Sequence, residues 1–243
     1  MNLFNKYILI LLASIPFFSG CASDDGYSLD NFWVEVVSII PLEGGGYYIK
    51  LDNGKKLWPA TSVVGSLKEY TRAQVNYTIL SDTIGDYDHY VKVNYLNNLP
   101  TKSIIPLTQE NDEALGNNKI KILELWEGDD FLNIHFGVNV GGVGILHSIN
   151  MVDKGLDNEG YINLELRHNA NGDAENFGAK SLVAFDLRPY KKNATVTTIK
   201  FRITLNAFSG SDSEYIFRYN YTGAKDQSFH TVIEASTDDL IIK

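Results

Sequence analysis

From about residue 32 to residue 221 the chain consists of short runs of alternating or β-branched residues closed by Gly, Asn, Asp or Pro. No stretch carries apolar residues at helical spacing for ten residues or more. The clearest alternation places Phe201, Ile203 and Leu205 on one face and Lys200, Arg202 and Thr204 on the other. Strands this close together leave no room for crossover helices, which argues against a parallel α/β sheet. The fold class is therefore read as all-β.

The runs fall into two groups. Phe32–Ile40, Tyr47–Leu51, Leu57–Trp58, Ala73–Leu80 and Tyr90–Leu96 are five short strands, with Asn53-Gly54 marking a hairpin between the second and third. Five strands in so short a span fit an OB-like barrel. Ser62–Tyr70 is weaker and is expected to hold one helical turn. From Asn97 to Lys119 the pattern lapses into a polar, acidic stretch with two prolines, read as a linker. Seven further runs follow between Ile120 and Tyr221, with a hairpin at Gly128-Asp129-Asp130, and they predict an antiparallel β-sandwich. The expected organisation is 30–105 for the barrel and 106–243 for the sandwich.

The first twenty residues differ from the rest. Tyr7–Phe18 is an apolar run broken only by Ser14 and Pro16. Twelve residues of helix reach about 18 Å, short of a bilayer core of about 30 Å. Residues 1–20 are thus expected to be a secretory leader and 21–29 a polar tether. Phe18-Ser19-Gly20-Cys21 is similar to the lipobox of bacterial lipoproteins, although Leu is commoner where Phe18 stands. That resemblance implies cleavage before Cys21 and lipidation of its thiol, palmitate included. Cys21 is the only cysteine, so an internal disulfide or multi-thiolate metal site is excluded. Two or three acyl chains hold a protein on a membrane where one is marginal.

Several segments together resemble the NigD-like lipoproteins of Gram-negative anaerobes. In the first half these are Asn31-Phe32-Trp33-Val34, Leu51-Asp52-Asn53-Gly54-Lys55 with Leu57-Trp58-Pro59, Arg72 with Val75–Leu80, and Leu99-Pro100-Thr101-Lys102. In the second they are Ile122, Trp126, Asp129 with Leu132-Asn133-Ile134, His147, Leu164–Ala170 with Gly172-Asp173, and Phe185-Asp186-Leu187. The resemblance runs from about Leu29 onward and implies an N-terminal OB domain joined to a C-terminal β-sandwich. It also brings the idea of bacteriocin immunity, without a secure activity. It further implies that the acidic stretch after the cysteine, Ser23, Asp24 and Asp25, serves as an export signal to the cell surface, and that Asp82-Thr83-Ile84 offers Thr83 for O-glycosylation.

Candidate chemistry is sparse. Glu165, His168 and Asp173 lie near one another, but Asn169–Asp173 carries turn chemistry, and such a segment is more often a hairpin bonded to its own backbone. His135 and His147 with Asp129 or Glu127 invite a metal, yet nothing in their spacing enforces three or four converging ligands. No Gly-x-Ser-x-Gly pentad is present, and Gly137–Gly144 lacks the ending of a phosphate loop. Sequons at Asn76, Asn193 and Asn220 mean little in a bacterium. The aromatic residues Trp33, Tyr47, Tyr48, Trp58, Tyr77 and Tyr87 are expected mainly to fill the barrel and the domain interface, with sugar stacking as the alternative. Trp58 and His168 are assigned to packing. No catalytic residue, metal or cofactor is expected.

With 21 Lys plus Arg against 30 Asp plus Glu, the net charge of −9 argues against nucleic acid. The sequence reads as a non-enzymatic lipoprotein, anchored at Cys21 to the outer membrane and binding an envelope protein or glycan. A toxin-immunity or inhibitor protein is the alternative.

Overall fold

The computed structural model describes residues 29–61, 70–83, 85–142, 144–191, 198–209 and 213–220. Cys21, Ser23, Asp24, Asp25 and the predicted helical turn, apart from Tyr70, lie outside the described residues.

β1 (Trp33–Pro41), β2 (Tyr47–Lys50), β3 (Lys56–Pro59), β4 (Thr71–Ser81) and β5 (His89–Asn98) close into a barrel in the order β1-β2-β3-β5-β4. Closure comes from a parallel β3–β5 pairing, and the other pairings are antiparallel. The Asn-Gly turn joins β2 to β3 as predicted, with Gly54 at φ 90° and the Lys55 amide donating to the Asn53 side chain at 3.0 Å. Alternation along the strands sends Val37, Ile39, Tyr47, Ile49, Leu57, Val75, Tyr77 and Val91 inward.

Two of the aromatic residues expected to fill the barrel do so: Tyr47 and Tyr77 are buried. Trp58 does not. It follows the inward Leu57, so its ring lies on the outer wall, half-buried against Tyr87 at 4.8 Å, with Tyr48 5.8 Å from the same tyrosine.

The second unit is a sandwich of β6 (Thr101–Ser103), β7 (Ile105–Pro106), β8 (Lys121–Gly128), β9 (Phe131–Val140), β10 (Ser148–Leu156), β11 (Tyr161–Asn169), β12 (Phe177–Asp186), β13 (Thr198–Leu205) and β14 (Glu214–Asn220). One sheet runs β14-β13-β11-β10-β7 and the other β6-β12-β9-β8. Most neighbours are antiparallel, but β11–β13, β10–β7 and β12–β6 are parallel. Between the sheets lies a core that includes Ile134, Phe136, Met151, Leu164, Leu166, Phe185, Phe201 and Ile203.

The segment from Asn97 to Lys119, predicted as a linker, is folded. Its residues 101–106 supply β6 and β7, which pair within the sandwich, although the expected boundary places 101–105 with the barrel. Beyond them, α1 (Gln109–Leu115) is started by a Thr108–Asn111 capping box. Arg167 on β11 pins that helix, donating to the Asp112 carboxylate at 2.7 Å and the Gly116 carbonyl at 2.6 Å. A second short helix, α2 (Arg188–Lys191), follows β12.

Barrel and sandwich meet over the β8–β9 hairpin. Asp129 and Asp130 hold φ of 47° and 70°, the pair of left-handed residues that a two-residue hairpin needs. Both carboxylates are engaged. Asp129 accepts from the Tyr70 hydroxyl and pairs with Lys50 at 2.5 Å, while Asp130 takes Lys191 at 2.5 Å and the Tyr219 hydroxyl at 2.7 Å.

Beside the hairpin stands Arg72, fully buried. Its guanidinium meets Asp52 through two bonds of 2.7 and 2.9 Å and donates to Ser38 at 3.0 Å, and its Nε reaches Asn133 of the sandwich at 3.2 Å. Gly128 is required there, because a Cβ would collide with the Asp52 carboxylate. Across the junction, the Arg188 guanidinium lies 4.5 Å from the Tyr70 ring and 5.1 Å from Phe131.

Candidate functional site

A groove of about 930 Å³ opens on the sandwich where β7, the end of β10, the start of β11, α2 and the start of β13 converge. Along it β10 breaks register with β11 between Asp153 and Leu156, with Gly155 at φ 94°, and pairs again at Leu156 opposite Ile162. Ile104, Pro106, Ile162, Tyr190 and Ile199 form an apolar lining, and Leu156 stands at its edge, 72% exposed.

Its polar groups are already committed. Tyr190 donates to Asp153 at 2.7 Å, and burial together with that carboxylate pushes the phenol above its ordinary range, so it stays a donor. Asp186 is held by Arg188 at 2.8 Å. Lys154 and Lys200 are the cations of the lining. Apolar lining flanked by two ammonium groups makes a surface that can bury apolar side chains and meet an anionic group.

At the other end of β10 is a buried polar chain. His168 continues the inward face of Leu164 and Leu166 and closes the end of the core, 2% exposed. His147, also 2% exposed, immediately precedes β10 and sets its Nδ1 2.9 Å from His168 Nε2. On the outer side, His147 Nε2 lies 3.1 Å from Asp173 Oδ2, and the same oxygen accepts the Gly141 amide at 2.7 Å. On the inner side His168 Nδ1 lies 2.9 Å from the Lys119 carbonyl and donates to it. The Gly141 amide, then the His147 side chain, hold the Asp173 carboxyl below its usual range. Burial lowers His168, the Lys119 carbonyl partly offsets this, and His147 lowers it further.

This arrangement revises the pairings drawn from sequence. His147 partners His168, not His135, which faces Glu124 at 3.8 Å. Asp173 joins His168 through His147, whereas Glu165 pairs with Arg167 and Lys154, both at 3.3 Å. Among the described residues no group of three His, Cys, Asp or Glu side chains is placed to hold a metal ion. Thr83 is exposed, as a modified hydroxyl must be, and Ile84 lies outside the described residues. Sequence reasoning missed both the groove and the buried Arg72. Arg72 had a readable signal only in hindsight of packing, since its outward position on β4 faces the second domain and not water.

The described residues thus form a closed five-stranded barrel followed by a two-sheet sandwich, a fold that by itself names no chemistry. Residues 36–99 match the NigD-like N-terminal OB domain and residues 103–219 the NigD-like C-terminal beta sandwich domain. The chain belongs to the NigD-like family.

Among solved structures, a toxin-related protein from Parabacteroides distasonis is 33% identical, with a TM-score of 0.65, covering 78% of this chain and 94% of its own. A protein of unknown function, DUF1344, from Bacteroides vulgatus is 26% identical with a TM-score of 0.66, covering 82% and 96%. A NigD-like immunity protein from Bacteroides caccae shares the fold at 21% identity and a TM-score of 0.61, covering 80% and 99%. No curated protein matches the chain.

Proposed function

We propose that this protein is a lipid-anchored binding module of the bacterial envelope that takes a partner protein into the sandwich groove. The groove carries the reading: it is a concave, largely apolar surface among the described residues, and its ionisable groups are arranged to hold shape. Cys21 is the anchor, preceded by an apolar run too short to span a bilayer. Among the described residues no helix is long and apolar enough to cross a membrane. Ser23, Asp24 and Asp25 serve as the export signal to the cell surface, and Thr83, exposed beside Asp82, as a glycan acceptor. A second reading, inhibition of a secreted toxin, is favoured by the toxin-related name of the relative at 33% identity. It uses the same groove with a toxin as the bound protein.

One set of cells tests the anchoring. The wild type is expected to incorporate labelled fatty acid, enter the detergent phase and be shaved by protease added to intact cells. Cys21→Ala is expected to lose label and leave the detergent phase. Replacing Asp24 and Asp25 with Ala is expected to keep the label and escape shaving. Intact mass on the same preparations reads the lipid on Cys21 and any sugar on Thr83. Undiminished labelling of Cys21→Ala refutes the anchor, and digestion of the wild type only after lysis refutes surface exposure.

A further inference from the structure

The contacts from Lys119 to Asp173 run through four imidazole nitrogens in series. Each of the three gaps needs one hydrogen: one from His168 Nδ1 to the Lys119 carbonyl, one between the rings, and one from His147 Nε2 to the Asp173 carboxylate. Two neutral imidazoles carry two hydrogens between them. The chain of bonds is therefore complete only with one extra proton, whose positive charge is balanced by Asp173. With one proton fewer, a gap has no hydrogen. With one more, two N–H groups face each other across 2.9 Å inside the protein. The bonded state thus occupies a window of protonation, bounded on both sides.

We propose that His147, His168 and Asp173 form a one-proton latch that fastens the end of β9 and the start of β10 to the β11–β12 turn and releases them in mild acid. Three bonds depend on it. Asp173 holds the Gly141 amide, His168 holds His147, and in the same turn the Asn171 side chain donates to the Leu146 carbonyl at 2.5 Å. Gly141 is packed tightly enough that a Cβ would strike Asp173 and Ala174. Ile145 and Leu146, 43% and 40% exposed, stand at the edge of the latched region. Lys119 meets the pair through its backbone carbonyl, and Glu175 is the remaining charged group acting on His168, favouring its protonation.

The direction with pH follows. Burial first, then the neighbouring His147, keep folded His168 below its ordinary value of 6.5, whereas the unfolded or opened ring protonates near that value. The opened rings take up a fourth hydrogen from about pH 6.5 downward while the latched pair resists it, so the latch weakens as pH falls below about 6.5 toward His168's lowered value.

Hydrogen exchange on the full chain, read by peptide from pH 7.5 to pH 5, tests this. After correction for intrinsic rates, peptides covering 138–147 and 168–174 are expected to gain about tenfold in exchange per pH unit below 6.5, while β13 stays protected. His168→Gln, which cannot take up the proton, is expected to flatten that pH dependence. If this variant fails to fold, nitrogen NMR of the wild-type imidazoles decides, with three ring hydrogens on the pair at the pH of slowest corrected exchange as the expected count. A flat wild-type profile, the same profile in His168→Gln, opening of β13 together with the turn, or two ring hydrogens at that pH overturns the latch.

Discussion

Replacing Arg72 with methionine is expected to destabilise the folded chain by about 3–5 kcal/mol, because it leaves the Asp52 carboxylate at the domain junction without its partner. The guanidinium is fully buried and Asp52 is 10% exposed, so water cannot take over the lost bonds. Ser38 and Asn133 lose a donor in the same step. Typical domains are stable by only about 5–15 kcal/mol, so this one side chain decides whether the junction persists. Urea denaturation monitored by tryptophan fluorescence measures the loss. The double substitution Arg72→Met with Asp52→Leu should cost clearly less than the sum of the two single changes, since it removes the stranded charge along with its cause. Additive losses would mean that the pair is not coupled.

The second large effect is expected from Phe201→Ala, at about 3–5 kcal/mol. Phe201 is completely buried at the centre of the sandwich, with Tyr190 edge-on at 5.1 Å and Phe217 stacked at 6.0 Å. Two elements relax around the void, α2 through Tyr190 and β14 through Phe217. Because Tyr190 also lines the groove, the variant is expected to weaken partner binding as well as stability. Thermal unfolding of the isolated protein reads the first effect. A loss below about 1 kcal/mol would show that the core repacks around the missing ring.

How far the sequence anticipates these features depends on how local their causes are. The alternation of Phe201, Ile203 and Leu205 against Lys200, Arg202 and Thr204 is a property of one strand, and the structure buries the first three as predicted. The Asn53-Gly54 hairpin is equally local. In contrast, residues 101–106 form strands of three and two residues that are defined by partners far along the chain, Ala184–Asp186 and Val152–Asp153. Read alone, with Pro100 and Pro106, they look like a linker. The same holds for the site. His147 and His168 are 21 residues apart and meet only because β10 and β11 are paired, with Ile149 opposite His168. Trp58 shows the converse: alternation with Leu57 already puts it outside the barrel, and reading its bulk as core material overrode its position.

Packing also explains why a charged residue as central as Arg72 is invisible in a one-dimensional reading. Alternation assigns its side chain to the outer wall of the barrel, where an arginine looks like an ordinary solvated residue. Docking of the β8–β9 hairpin turns that patch of wall into an interior, and only then do Asp52, Ser38 and Asn133 become its partners.

The central claim, a groove that receives a protein partner, is tested most directly by site-specific crosslinking in living cells. A photoreactive side chain is placed at Leu156, on the groove edge, and for comparison at Glu43, exposed on the barrel in the β1–β2 connection. Position 156 is expected to yield a discrete adduct that position 43 does not, and Ile162→Asp in the groove lining should abolish it. Equal adducts from both positions, or none from position 156 in cells where the anchored protein is correctly processed, would contradict the groove as the binding site.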